Sequence, residues 1–267
     1  MSRIRIKKWA KALLLISAAA FIVNIVIYFI YPDISKLRKE NPRKTSFMEY
    51  REKQWNEEGK KITIRQYWVP LSRISNYMTK AVIIAEDDKF WSHAGFDFEA
   101  MEKSFEKDIK EKKFKFGGST ISQQLAKNLF LSPSKNPLRK MKEAILTWRL
   151  EKNLSKKRIL ELYLNVAEWG EGIFGIEAAA LHYYRKHAFD LSADEAARLA
   201  TVLPNPRKYN PLSNSRYVSN RSRIIYEIMV RRGIVVEEFE DVMKNIEDPA
   251  EAPGTKSPLN AVTAPAK

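Results

Sequence analysis

The run from Ala12 to Tyr31, "ALLLISAAAFIVNIVIYFIY", most constrains what this chain can become. Interrupted only by Ser17 and Asn24, it has the length of about 20 residues that a helix needs to cross a bilayer. A cleaved leader would have a shorter apolar core and a small-residue cleavage site, whereas this run ends in Tyr28, Phe29, Tyr31 and Pro32. A helix buried in a soluble core would need neither that aromatic end nor the basic flank of Arg3, Arg5, Lys7, Lys8 and Lys11. The run reads as a retained anchor. Its basic flank favours a cytoplasmic N-terminus and an exported body, although Lys36, Arg38, Lys39, Arg43 and Lys44 follow and soften the asymmetry.

The remaining chain suffices for one good core. Residues 1–31 are expected to be a basic tip and membrane anchor, 32–60 a juxtamembrane linker with a short helix from Ser46, 61–245 the folded body, and 246–267 a disordered tail rich in Pro and Ala. The net charge of +15 suits a polyanionic partner: nucleic acid, an anionic membrane surface or a phosphorylated substrate. With no cysteine, disulfides and thiolate metal sites are excluded, and His93, His182 and His187 are too scattered for a zinc site. Any metal would need carboxylates.

Within the body, "KITIRQYWVP" alternates like a short strand stopped by Pro70. From Ser72, the spacing of Ile74, Met78, Ala81, Val82 and Ala85 predicts a helix that delivers Glu86 at its electronegative C-terminal end. Asp97 is a plausible N-cap for a second helix carrying Phe98, Met101, Phe105 and Ile109, so "AEDDKFWSHAG" forms the turn between them. That turn sets Glu86, Asp87, Asp88 and His93 beside Phe90 and Trp91, an arrangement able to raise a carboxyl pKa. An acidic cluster at a helix end is more often a solvated cap; the downstream segments argue otherwise. The basic stretch 107–118, with Phe114 and Phe116 interleaved, reads equally as a solvated loop or as one resting on lipid headgroups or lipid-linked phosphate.

In "GGSTISQQLAKNLFL", Thr120 and Gln123 have capping-box spacing, opening a helix with Ile121, Leu125 and Leu129 on its core side and Gln124, Lys127 and Asn128 on another. Its N-terminal amides could meet an anion, but no Lys-Ser or Lys-Thr follows the glycines, so it is not a nucleotide P-loop. A helix from Leu138 to Leu150 is predicted, with core stripe Leu138, Met141, Ile145 and Trp148; Arg139, Lys140 and Glu143 lie off that stripe at ion-pair spacing. Any one such pair would ordinarily be a surface pair of little consequence. "SKKRILELYLN" is a further helix in which Glu161 is expected to be a buried structural anchor. Gly170, Gly172 and Gly175 imply a tight turn before an alanine-rich helix, Ser192 and Glu195 form another capping box, and two helices follow, from Arg221 to Arg231 and ending near Asn245.

Four blocks in order, "EDDKFWSHAG", "GGSTISQQLAKN", "RKMKEAILTWRLE" and "SKKRILELYLN", with "EAARLATVLPNP" as a fifth, resemble the motifs of peptidoglycan glycosyltransferases. These are lysozyme-like enzymes that polymerise a lipid-linked disaccharide into glycan strands. The resemblance spans residues 65 to 212, and "NVAEWGEGIFGIEAAALHYYRK" is most similar to monofunctional biosynthetic peptidoglycan transglycosylases. The chain beyond is too short for the transpeptidase domain that bifunctional relatives append.

The resemblance implies a mainly α, lysozyme-like domain behind the transmembrane helix. It implies Glu86 as catalytic base and Glu143 as second essential carboxylate. Ser119, Gln124, Lys127 and Lys140 would line the donor and pyrophosphate sites, with Asp87, His93 and Arg139 close by. The irregular "SPSKNPLRK" connection leaves open whether Lys135 replaces a basic phosphate ligand. No cofactor is obligatory, and a divalent cation, Mg or Mn, is compatible. The implied partners are lipid II, the lipid-linked glycan chain, the membrane and cell-wall synthesis or division proteins, and not nucleic acid. The implied place is the inner membrane, single-pass, with the catalytic domain facing the periplasm.

The chemistry is consistent with these residues. Deprotonating an acceptor hydroxyl suits a carboxylate of raised pKa, and expelling a pyrophosphate suits clustered cations. Glu143 could orient those cations or help hold a metal. A membrane-bound muramidase or lytic enzyme on the same fold has less use for the cations. A non-enzymatic basic tether for anionic polymer would account for the charge but not for the spacing of Glu86, "GGST" and Glu143.

Overall fold

The computed structural model describes residues 3–111, 118–133 and 136–235. The basic stretch with Phe114 and Phe116, Lys135, the helix expected to end near Asn245 and the tail lie wholly or largely outside them. Helix α1 (Arg3–Val26) opens the chain, and the stretch Lys11–Arg38 is long and apolar enough to cross a membrane, with mean hydropathy 2.7 and none of its most apolar window buried.

Residues 32–60, expected to link anchor and body, are instead packed onto the body. A 3-10 turn at Ile34–Arg38 buries Ile34 and Leu37, and α2 (Ser46–Glu57) starts near the expected place, capped by Thr45, and buries Met48 and Trp55 against Phe174. Arginines hold the intervening backbone. The Arg149 guanidinium donates to the carbonyls of Tyr28, Ile30 and Pro32 at 2.7 to 2.9 Å, and Arg158 donates to those of Leu37 and Glu40 at 2.8 and 2.9 Å. Carbonyls that leave a helix unpaired need such donors, and the sequence supplies them from 120 residues downstream. Arg149→Ala is expected to cost about 3 kcal/mol, since three acceptors lose a charged donor together; severalfold faster tryptic cleavage at Lys36 to Lys39 in the intact protein would register it.

The body is mainly α, as expected. Helices α3 (Asn76–Glu86), α4 (Phe98–Glu111), α5 (Ile121–Phe130), α6 (Pro137–Asn153), α7 (Lys156–Val166), α8 (Ile176–Tyr184), α9 (Ala193–Val202) and α10 (Arg216–Arg231) surround a core that includes Val82, Phe90, Leu125, Leu146, Ile159 and Trp169. Strands β1 (Arg65–Gln66), β2 (Glu168–Gly170) and β3 (Ile173–Phe174) form a small sheet of order β1-β3-β2, with β3 parallel to β1 and antiparallel to β2. The expected strand shrinks to two residues because the side-chain amide of Asn165 takes over next: it accepts from the Val69 N–H at 2.9 Å and donates to its carbonyl at 2.8 Å. Gly175, with φ +80, lets β3 turn into α8 against α7; a Cβ there would sit 2.7 Å from the Asn165 carbonyl oxygen.

Helix α6 corrects the expected core stripe. Met141 and Trp148 are 47% and 46% exposed, and the buried face is Glu143, Leu146, Thr147 and Leu150. The stripe faces the apolar N-terminal segment, where Trp148 meets Phe29 edge-on at 6.3 Å. The inner face sets Leu146 and Leu150 beside Glu143, which Arg139 and Lys140 pair, and Thr147, whose hydroxyl donates to the Glu143 carbonyl.

Candidate active site

Glu86 is the last residue of α3, delivered where the apolar spacing placed it, and its side chain is 10% exposed. Burial pushes its carboxyl above the ordinary range. Opposing this are a hydrogen bond from Gln124 Nε2 to Oε2 at 2.8 Å and the charges of Arg221, 3.9 Å from Oε1, and Lys127; the charge of Asp87 adds to the rise. Phe90 is wholly buried beneath Lys156, edge-on to Trp91, which is half-exposed. With raised proton affinity and a place in the lining of a cleft, Glu86 is suited to accept a proton.

The turn after Glu86 is stitched to the start of α5. Asp87 Oδ2 accepts from the Ile121 N–H at 2.9 Å and Oδ1 lies 2.8 Å from His93 Nε2. The Gly95 N–H donates to His93 Nδ1, which leaves the Nε2 proton for Asp87. The Thr120 hydroxyl donates to the Gly95 carbonyl and also accepts the capping bond from Gln123. Asp87 and His93, grouped with the substrate-binding residues by resemblance, bond to one another, Asp87 buried and His93 partly so. They hold the turn in place. Asp88 faces outward and pairs with Arg232 at 2.6 and 2.9 Å.

Glu143, on the inner face of α6, is 3% exposed, with Arg139 Nη1 at 3.0 Å from Oε2 and Lys140 Nζ on Oε1. Lys140 also reaches Ser119 Oγ at 3.4 Å, tying α6 to the entry of α5. Lys127 makes no ion pair among the described residues. Burial lowers its pKa, Glu143 and Glu86 hold it up, and Arg139 and Lys140 lower it further. A largely buried ammonium without a paired carboxylate, beside two more cations, is a place for an anion.

A cleft of about 300 Å³ is lined by Glu86, Asp87, Lys103, Ser119 and Thr120. A second, of about 330 Å³, lies between the anchor and α6, lined by Asn24, Tyr28, Asn136, Arg139 and Lys142. Gln124 and Lys127 join Glu86 to the Glu143 cluster through one face of α5, as their spacing implied. Among the described residues, no group of three or more His, Asp or Glu side chains could hold a metal ion.

Three groups at the site were not singled out from the sequence. Arg221, beside Glu86, also donates to the Ala85 carbonyl at 3.1 Å, and no local pattern ties it to a residue 135 positions earlier. Lys142, whose ammonium lies 4.7 Å from the Tyr28 ring centroid, was hidden in a run of cations. Tyr163, on the buried face of α7, donates to Gln124 Oε1 at 3.0 Å; its one signal was a hydroxyl within an otherwise apolar face. Glu161, as expected, is structural: it accepts from the Leu71 N–H at 2.9 Å and pairs with Arg158.

A protein of Nitrosospira multiformis named biosynthetic peptidoglycan transglycosylase is 46% identical over 216 residues, 80% of this chain and 94% of the relative. Proteins of the same name from Aromatoleum aromaticum and Dechloromonas aromatica are 52% and 50% identical over 190 and 185 residues, 70% and 69% of this chain and 83% and 80% of theirs. The sequence model described as transglycosylase matches residues 55–230, from the end of α2 through nearly all of α10 and across every residue of the two carboxylate clusters, so the chain belongs to the transglycosylase family.

Proposed function

We propose that this chain polymerises glycan strands for the bacterial cell wall. It would transfer the growing lipid-pyrophosphate-linked chain onto the 4-hydroxyl of lipid II and release undecaprenyl diphosphate. One observation carries the reading: a buried carboxyl of raised pKa on α3 and a largely buried ammonium on α5, without an ion pair among the described residues, lie close enough to feel one another's charge, and Gln124 on the same face of α5 bonds the carboxyl.

Glu86 takes the proton from the acceptor 4-hydroxyl as its oxygen attacks the anomeric carbon of the donor, and the bond from that carbon to the pyrophosphate breaks. The leaving group departs with its electron pair, so it needs positive charge rather than a proton, and Lys127, Arg139 and Lys140 supply it. Direct displacement inverts the anomeric centre. Both Glu143 oxygens are engaged by Arg139 and Lys140, which supports the role of orienting those cations. Ser119, held near Lys140, would line the donor side.

The apolar helix fits a membrane anchor, which confines the enzyme to the plane of its lipid substrate. The basic N-terminal flank favours the inner membrane with the body in the periplasm, where division or elongation proteins would recruit it. A reporter fused after Lys267 that works only in the cytoplasm would overturn this orientation.

The test is to incubate the purified full chain with radiolabelled lipid-linked disaccharide in detergent. Lysozyme-sensitive polymer is expected. New chain ends from added glycan strands, with no polymer, would instead support the lytic reading; bound but unconverted precursor would support a tether.

A further inference from the structure

Behind the proposed base lies a relay that the reaction as written does not use. Tyr163 is 1% exposed, and its hydroxyl has one hydrogen-bond acceptor among the described residues, Gln124 Oε1 at 3.0 Å. The same amide donates from Nε2 to Glu86 Oε2 at 2.8 Å. An amide can be turned end for end, so the question is what forbids the other orientation. If it turned, the phenol proton, buried with its ring, would lose that acceptor, and Gln124 Oε1 would face an ionised Glu86 oxygen, acceptor against acceptor. Each is a buried, unsatisfied polar contact. Burial, reinforced by the Glu86 and Asp87 charges, keeps the phenol protonated and therefore always a donor.

We propose that Tyr163 is a positioning residue for the reaction: by locking the Gln124 amide it occupies Glu86 Oε2 and reserves Oε1 as the oxygen that receives the acceptor proton. The inference rests on Glu86 being the base. Oε1 is the oxygen nearer Arg221, at 3.9 Å, so the new O–H forms away from the amide and beside a cation that orients the carboxyl without bonding it tightly. The groups that bear on Glu86 are Arg221 and Tyr217 on α10, Lys127 and Gln124 on α5, Tyr163 on α7, and its neighbour Asp87. Among them Gln124 is the one donating a hydrogen bond to the carboxylate, and Tyr163 fixes which way it points.

Tyr163→Phe keeps the ring and removes the lock. Gln124 can then present its oxygen to the protonated carboxyl, which stabilises the acid form. The acidic limb of kcat/KM for polymerisation is expected to move up by about one pH unit, the size of one hydrogen bond to a charged group. Turnover then falls several-fold on the acidic limb and little on the plateau above it, with KM for the lipid-linked donor unchanged. Gln124→Leu should move the limb the same way, and Tyr163→Phe combined with Gln124→Leu no further, because both act through one bond. A merely structural tyrosine would lower activity equally at every pH. A Tyr163→Phe limb that coincides with wild type, or shifts that add in the double variant, would overturn the inference while leaving Glu86 as base. Absence of polymer from wild type would instead remove the reading on which it rests.

Discussion

Glu86→Gln is expected to lower polymer formation by on the order of a thousandfold, the range a positioned general base contributes, while lipid-substrate binding stays close to wild type. Gln is nearly isosteric and fills the same site at the end of α3, so the loss belongs to the chemistry. Stability should move the other way. In the folded chain the carboxyl pKa is raised, chiefly by burial, so between the unfolded and folded values the folded state binds more protons. That contribution is fully present below the unfolded pKa and is lost as pH rises through the folded one. An uncharged Gln escapes the loss, so the variant should melt above wild type at pH 8, and the gap should close toward pH 4. Thermal melts at both pH values, beside the polymerisation assay, check the pair of effects. Retained polymerisation would exclude Glu86 as the base.

Glu143→Gln is expected to reduce turnover by on the order of a hundredfold, although the residue need not touch the reacting atoms. Its carboxylate pairs with Arg139 and Lys140, and in the proposed reaction misplacing the charges that would meet the leaving group is costly. About 2 kcal/mol of stability should go as well, less than for a fully buried pair because Lys140 is half-exposed. The distinguishing effect is on pH. Burial already lowers the pKa of Lys127, and Glu143 is the largest influence opposing that. Removing the negative charge lowers it further, so the alkaline limb of kcat/KM should move to lower pH. An unmoved alkaline limb would show that Lys127 does not set it.

What the sequence made legible followed from local rules. The capping boxes of Thr120 with Gln123 and Ser192 with Glu195 formed as their spacing required, and the apolar period up to Ala85 carried Glu86 to the end of its helix. Spacing of three and four placed Gln124 and Lys127 together, and Arg139, Lys140 and Glu143 together. What was not legible depended on partners distant in the chain. The α6 stripe of Met141 and Trp148 was apolar for the side from which the anchor emerges, and periodicity reports an apolar face without saying what lies against it. Arg221 donates to a carbonyl 136 positions earlier, Arg149 to carbonyls 117 to 121 positions earlier and Tyr163 to a side chain 39 positions earlier, and no composition or period signals an acceptor that will need a distant donor. The apparent linker was polar enough to pass for one because its binding to the body runs through arginines and main-chain oxygens rather than an apolar stripe.

Those arginines also settle a matter of search. An enzyme on a slack leash samples a hemisphere, and its encounter rate depends on leash length. With Arg149 and Arg158 fastening the backbone from Tyr28 to Glu40, there is no leash to sample with. For the proposed reaction, capture becomes a problem of lateral diffusion in a sheet of fixed height. Doubling the precursor's surface density should then double the rate, whereas enlarging the aqueous volume around the same vesicles should leave it unaltered.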